Sequence, residues 1–86
     1  MEKITYIVKD PGGIHARPAG ILVKAACGFK STITVEAGER ISDCKKLLRV
    51  MAMGIKNGEE ITITADGDDE KEAIGEIKRT IEKIGL

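Results

Sequence analysis

The sequence has few aromatic residues, few cysteines, a single histidine and no excess of charge of either sign. Among Phe, Tyr and Trp it contains only Tyr6 and Phe29, so it offers few surfaces on which single-stranded bases could stack. Its 14 Lys and Arg residues are balanced by 14 Asp and Glu residues, whereas a face that binds nucleic acid requires a basic excess. We therefore predict no nucleic-acid partner.

Long apolar runs are also missing. No segment approaches the roughly 20 consecutive apolar residues that a transmembrane helix needs, so we predict no membrane insertion. Residues 1–5 contain no apolar stretch of the kind found in a secretory signal peptide, and we expect a cytoplasmic protein. In that compartment Cys27 and Cys44 would be reduced thiols.

Two cysteines and one distant histidine do not supply the roughly four ligands of a zinc site. We therefore predict no metal and no other cofactor. A metal-binding domain that uses Cys27 and Cys44 stays open as an alternative. That alternative predicts stoichiometric zinc or copper in the purified protein.

The 86 residues do contain a regular succession of strand and helix patterns, and the length predicts a single domain over residues 1–86. The alternation typical of half-buried strands occurs at residues 4–8, 32–36, around 41 and 60–65. Helical patterns occupy residues 14–28, 45–53 and 69–84. The order βαββαβα predicts an α+β fold in which one antiparallel sheet carries three helices on one face.

Local signals predict where the helices begin and end. Pro18 suits the first turn of the first helix, because that turn needs no N–H from it. Gly54 is suited to ending the second helix in the left-handed conformation, and Gly85 ends the third helix. Asp69, followed three residues later by Glu72, predicts a capping box at the start of the third helix.

His15, the only histidine, lies between a glycine pair and the proline that opens the first helix. The N–H groups of a first turn have no helical partners, and the helix dipole adds partial positive charge, so such an end binds anions. Arg17 adds a permanent cation whose planar donors suit phosphate. Because neutral imidazole is a nucleophile, we predict that His15 carries a phosphoryl group stabilised by the helix start at Ala16, Arg17 and Pro18.

The alternative is that His15 is an ordinary surface or capping residue. Its neighbours argue against that interpretation. Helix N-caps are preferentially Ser, Thr, Asp or Asn, and a capping histidine has no need of an arginine two residues later.

The string Gly13-Ile14-His15-Ala16-Arg17-Pro18-Ala19 resembles the active site of the HPr family, the phosphocarrier proteins of the bacterial sugar phosphotransferase system. The resemblance extends over essentially the whole chain. It also rests on Met51-Ala52-Met53-Gly54, on Gly58-Glu60-Ile61-Thr62 and on Gly67-Asp68-Asp69-Glu70.

The resemblance implies an open-faced β-sandwich with a four-stranded sheet, and reversible phosphorylation of Nδ1 of His15. The donor would be enzyme I, which takes its phosphoryl group from phosphoenolpyruvate, and the acceptors would be enzyme IIA domains of sugar permeases. Arg17 would assist the transfer, and Pro18 would shape the helix start. Such a protein is a carrier and not an independent catalyst.

The second predicted helix holds more apolar residues than one face of a short helix can bury. The surplus is either core or an exposed docking patch, which Lys24, Lys45, Lys46 and Arg49 would rim with positive charge. The resemblance favours docking. It implies a partner surface formed by Gly20, Lys24, Leu47, Leu48, Arg49 and Met51.

Two positions depart from the family's pattern. Many relatives carry a serine at the position of Lys46, where a metabolite-controlled kinase phosphorylates it; lysine cannot accept that phosphate. Ser31 and Ser42 lie elsewhere in the pattern, so we predict no regulatory serine. Relatives often have Ser or Asn in place of Gly12 to help hold the imidazole, so we expect its orientation to be less determined here.

Two further functions stay open. One is a specialised paralogue that serves a nitrogen-related or dihydroxyacetone phosphorelay, which the sequence does not distinguish from sugar uptake. The other is a regulatory docking module that is not phosphorylated, against which the intact His15 and Arg17 argue. No heptad pattern or long apolar edge is present, so we expect a monomer.

Overall fold

The alternating segments of the sequence form the four strands of one antiparallel sheet. The computed structural model describes all 86 residues. The elements are β1 (Glu2–Ile7), α1 (Ala16–Cys27), β2 (Thr32–Ala37), β3 (Arg40–Asp43), α2 (Leu47–Ala52), β4 (Glu60–Asp66) and α3 (Glu70–Ile84). The strand order in the sheet is β1-β4-β2-β3. The predicted α+β class and βαββαβα order are confirmed.

The register of the strands places the apolar residues on one face. Ile63 of β4 lies opposite Ile4 of β1 and also opposite Val35 of β2, so three apolar side chains meet across three strands. The alternate residues form the open face, where Thr62 lies between Thr5 and Glu36. A half-buried strand requires this separation of apolar and polar residues.

The helices cover the apolar face of the sheet. Leu22 and Ala26 of α1 and Ile77 and Ile81 of α3 are buried in a core shared with β2 and β4. The third helix packs against α1, β1 and β4, while the short α2 packs against α1 and β3. None of the three helices combines the length and the apolar character needed to cross a bilayer.

The predicted bounds of the first two helices are wrong. The first helix begins at Ala16 and not at residue 14, because the backbone of His15 is extended (φ −95°, ψ −171°). The N–H of Ile14 donates to Ile55 O (3.0 Å), which ties this residue to a neighbouring loop. The second helix is limited to Leu47–Ala52, shorter than the predicted 45–53. Gly54 adopts the left-handed conformation, as predicted, and Gly85 at the end of α3 adopts it as well.

The predicted capping box at the start of α3 is also wrong. Asp69 occupies the N-cap position, but its side chain makes no capping hydrogen bond. Its carboxylate instead accepts hydrogen bonds from the N–H groups of Lys30 (2.8 Å) and Ser31 (2.9 Å) and from the Ser31 hydroxyl. Asp69 therefore connects α3 to the loop between α1 and β2.

Candidate functional site

The loop that leads into α1 is held by backbone contacts. Gly13 has a φ of +67°, and its N–H donates to Asp10 O (2.8 Å). A Cβ at Gly13 would lie 2.3 Å from Ile55 O, so only glycine fits there. The close approach of these two loops determines where the first helix starts.

His15 is the N-cap of α1. Its carbonyl accepts the first helical hydrogen bond from Ala19 N (2.9 Å), whereas its side chain makes no capping bond and remains 50% exposed. The N–H groups of Ala16 and Arg17 have no acceptor within the protein, and Pro18 has no N–H to offer. Two free donors therefore stand beside the imidazole at the positive end of the helix.

The imidazole of His15 has two close neighbours in the preceding loop. Its Nε2 lies 3.6 Å from Oδ2 of Asp10. Gly12 lies against the ring, since a Cβ there would be 2.8 Å from Cδ2 of His15. Asp10 was not among the residues predicted for the site, although its position just before the glycine pair could have indicated it.

An open cleft of about 390 Å³ adjoins the imidazole. It is lined by Asp10, His15, Arg17, Pro18, Ile21, Lys83 and Ile84. Arg17 and Lys83 are exposed and form no ion pair, so both cations are free to meet an anion. Lys83 lies in the last turn of α3, and nothing in its local sequence indicates that it lies near His15.

The apolar residues of α2 that the core does not accommodate lie at the surface. Leu48 is 79% exposed and Leu47 is 40% exposed, so they are not core residues. Lys24 and Arg49 are also exposed, whereas Gly20 and Met51 are partly buried. Because α2 packs against α1, these residues belong to two neighbouring helices, one of which begins at the histidine.

One residue of the predicted basic rim, Lys45, is held by a hydrogen bond within the protein. The ammonium group of Lys45 donates a hydrogen bond to Phe29 O (2.7 Å) in the loop that follows α1. Lys46 is exposed and occupies the N-cap of α2. Lys24, Lys46 and Arg49 make no ion pair, so they are the free cations of the rim.

The serines are occupied by structural hydrogen bonds. Ser31 is 1% exposed, and its hydroxyl donates to Asp69. The Ser42 hydroxyl donates to Arg49 O (3.3 Å). Neither serine lies in the position of Lys46 at the start of α2.

The two cysteines differ in their surroundings. Cys44 is fully buried, and burial raises the pKa of its thiol to about 12, while Cys27 is exposed. Metal binding requires the thiolate, which burial of Cys44 disfavours. No three His, Cys, Asp or Glu side chains come together in an arrangement that could hold a metal ion.

Known proteins are similar to this chain in sequence and in fold. A family model described as "PTS HPr component phosphorylation site" matches residues 2–83. The phosphocarrier protein HPr of Mycoplasma capricolum is 49% identical over 81 residues, which cover 94% of this chain and 91% of the relative. The HPr of Mycoplasma genitalium is 44% identical over 84 residues, 96% of each chain.

A solved mycoplasma structure, described as the histidine-containing phosphocarrier protein, superposes with a TM-score of 0.97 at 47% sequence identity. The match covers 99% of this chain and 97% of that one. Sequence and fold thus agree on the class, a small βαββαβα protein of the phosphotransferase system. The chain belongs to the HPr family of phosphocarrier proteins.

Proposed function

We propose that this protein accepts a phosphoryl group on Nδ1 of His15 from phosphorylated enzyme I and passes it to enzyme IIA domains in sugar uptake. The observation that carries the proposal is the placement of a half-exposed imidazole at a helix start whose N–H groups are unpaired. The phosphoryl group on enzyme I derives from phosphoenolpyruvate. The protein takes part as a carrier and performs no turnover of its own.

In the forward step the lone pair of Nδ1 forms a bond to phosphorus, and the bond from phosphorus to the donor breaks with its electron pair going to the donor. The phosphoryl group then lies at the start of α1. The N–H groups of Ala16 and Arg17 and the positive end of the helix stabilise its charge. Transfer to the acceptor reverses these bond changes.

Two side-chain cations support the same group. The guanidinium of Arg17 presents planar donors to the phosphoryl oxygens, and Lys83, which lines the same cleft, contributes a second positive charge. Both are without ion-pair partners, so binding the phosphoryl group breaks no existing salt bridge. Pro18 is buried and shapes the first turn of α1, but it has no N–H group that could bind the phosphoryl group.

A carrier must present the same histidine to its donor and to its acceptors. The proposed docking surface consists of Gly20, Lys24, Leu47, Leu48, Arg49 and Met51. The exposure of Leu47 and Leu48 supports this role, because large apolar side chains at the surface lose contact with water when a partner covers them. The unpaired Lys24 and Arg49 would attract acidic partners.

Three further properties belong to the proposal. Lys46 stands where a regulatory serine would be, and Ser31 and Ser42 are held in internal hydrogen bonds, so His15 is the one phosphorylation site. The protein works as a monomer in the cytoplasm. It requires no cofactor, metal, membrane or nucleic acid.

The test is incubation of the purified protein with phosphoenolpyruvate and enzyme I, followed by intact-mass measurement. We expect one added phosphoryl group that is lost in acid, as a phosphohistidine is, and no addition to the His15→Ala variant. The Arg17→Ala variant should fold normally but accept the group about 10- to 100-fold more slowly. Arg79→Ala is the matched control, since Arg79 pairs with Glu76 on the surface of α3.

Failure of several enzyme I homologues to phosphorylate the protein would contradict the proposal. Phosphorylation by a nitrogen-related or dihydroxyacetone donor alone would instead assign it to a specialised relay. A parallel incubation with the serine kinase should add nothing, and phosphate on Ser31 or Ser42 would overturn the role given to Lys46.

A further inference from the structure

We propose that Asp10 is a positioning residue that selects the tautomer of His15, holding the proton on Nε2 and leaving the lone pair of Nδ1 free. The inference rests on the proposed function only for its consequence for phosphoryl transfer. The interaction between the carboxylate and the imidazole can be measured without any partner protein.

The loop holds the Asp10 carboxylate in place. Its Oδ1 accepts a hydrogen bond from Gly12 N (2.8 Å), and its carbonyl accepts one from Gly13 N (2.8 Å). Its own N–H donates to Leu86 O (2.7 Å), so the backbone is also tied to the end of the chain. With Oδ1 engaged, the free oxygen Oδ2 lies 3.6 Å from Nε2 of His15.

Gly12 makes room for this arrangement. A Cβ at Gly12 would lie 2.8 Å from Cδ2 and 3.1 Å from Nε2 of His15, and 3.4 Å from Oδ1 of Asp10. Any side chain at Gly12 would therefore require the imidazole to leave its present position. Gly12, which was expected to leave the orientation of the ring less determined, allows the ring to lie against the loop beside Asp10.

The chemistry follows from the two nitrogens of the ring. A neutral imidazole has one proton, and a carboxylate facing Nε2 favours the tautomer that carries it there. Nδ1 then holds the lone pair that attacks phosphorus. The separation of 3.6 Å is longer than a hydrogen bond, and contacts of this kind shorten when the ring becomes charged in the reaction complex.

The proton stays on Nε2 throughout the step. When the bond from Nδ1 to phosphorus forms, positive charge spreads over the ring, and the Asp10 carboxylate stabilises it. When the phosphoryl group leaves, the ring is again neutral with its proton on Nε2. Arg17 and Lys83 are the other charged groups facing this cleft, and they act on the phosphoryl oxygens.

The first measurement is the ¹⁵N spectrum of the histidine ring at alkaline pH, where an ordinary imidazole is neutral. We expect the wild type to show mainly the tautomer protonated on Nε2. In Asp10→Asn the amide oxygen can still accept from Gly12 N, but the amide group presents an N–H to Nε2. The variant should therefore keep its loop and shift toward the tautomer protonated on Nδ1.

The second measurement is the rate of transfer from phosphorylated enzyme I. We expect Asp10→Asn to lower the maximal rate about tenfold with little change in the concentration of half-saturation, because docking is untouched. Asp68→Asn removes an exposed carboxylate that makes no side-chain hydrogen bond or ion pair and should change neither readout. Gly12→Ala should slow transfer by displacing the ring.

The outcomes separate the two proposals. A wild-type protein that is phosphorylated on His15, together with an Asp10→Asn variant of unchanged tautomer and rate, would overturn the role of Asp10 alone. Slower transfer in Gly12→Ala but not in Asp10→Asn would assign the effect to packing and also overturn it. A wild-type protein that no enzyme I phosphorylates would contradict the proposed function and the role of Asp10 in transfer.

Discussion

At the scale of single residues, carboxylates at the helix starts are used to tie distant segments together. Asp69 stands at the start of α3, yet its oxygens accept hydrogen bonds from Lys30 and Ser31 in another loop. The Ser31 hydroxyl, followed by the Lys30 N–H, holds the pKa of Asp69 below its ordinary value. Because these hydrogen-bond donors stabilise the ionised carboxylate of Asp69 more than the protonated one, the free energy of unfolding depends on pH.

The sign of that dependence follows from the lowered pKa. Stability from Asp69 is present above the unfolded-state pKa, about 3.9, and is lost as the pH falls through the lower folded-state pKa. We expect the free energy of unfolding of the wild type to exceed that of Asp69→Asn at neutral pH, and the gap to narrow below about pH 4. Urea titrations across a pH series measure both quantities.

Asp68→Asn serves as the control, because Asp68 is exposed and has no hydrogen-bond partner. It should leave the unfolding free energy nearly unchanged at neutral pH. A gap between wild type and Asp69→Asn that stays constant down to the acid limit would contradict an ionised, hydrogen-bonded Asp69.

At the scale of elements, α1 contains a glycine where helix propensity disfavours it. Gly20 lies inside α1, and a Cβ there would meet no atom within 4 Å. Neither close packing nor a left-handed conformation within the protein requires glycine at this position. Gly20 belongs to the proposed docking surface. Close contact with a partner at this position, and not the fold of the protein, would therefore account for a residue without a side chain.

We expect Gly20→Ala to raise the free energy of unfolding by about 0.5–1 kcal/mol, since Ala is the better helix former. The added methyl group should also slow transfer from enzyme I by hindering close docking. Gly75→Ala is the matched change in α3, where a Cβ would make only an ordinary contact with Arg79 (3.7 Å). It should stabilise by a similar amount and leave transfer unchanged.

Thermal or urea unfolding measures the first effect, and the initial rate of phosphoryl transfer measures the second. Equal transfer rates in the two alanine variants would remove Gly20 from the docking surface. A loss of stability in Gly20→Ala would show that the open space at this position is filled in solution.

At the scale of the whole molecule, the charges balance but are unevenly placed. The formal net charge is zero, yet unpaired cations of α1, α2 and α3 lie on the histidine cleft and on the proposed docking surface. A local field of this kind steers an acidic partner even when the net charge is zero. Association with such a partner should therefore weaken in salt.

We expect the apparent second-order rate of transfer from enzyme I to fall as ionic strength rises from about 0.05 to 0.5 M, because the screening length shrinks from above 10 Å to a few Å. At low salt, Arg49→Glu should slow transfer several-fold. Lys3→Glu changes the net charge equally but lies on β1 with its side chain on the open face of the sheet, and it should have little effect. Equal effects of both reversals would indicate a response to net charge and not to the docking surface.

The order of the elements and the apolar faces of the strands and helices were predictable from the sequence. Apolar residues recur about every 2 residues in a strand and every 3.6 residues in a helix, and tertiary packing does not alter this local spacing. The placement of Arg17 near His15 in one cleft was predictable for the same reason, since the two lie two residues apart at the start of α1. The residues at which the helices begin and end were less predictable from the sequence. The start of α1 at Ala16 follows from the extended backbone of His15, in a loop where Ile14 is hydrogen-bonded to the distant Ile55, and no local signal indicates that contact.

The sequence by itself therefore determined that a single histidine lies at a helix start with a cation beside it. Only the tertiary structure decided that Lys83 lines the same cleft, that the Asp10 carboxylate faces Nε2 and that Leu48 is left outside the core. The physical reason is the distance along the chain over which each kind of interaction acts. Caps, turns and periodicity act over a few residues, whereas the distance between α3 and the loop before α1 is determined by how the helices pack on the sheet.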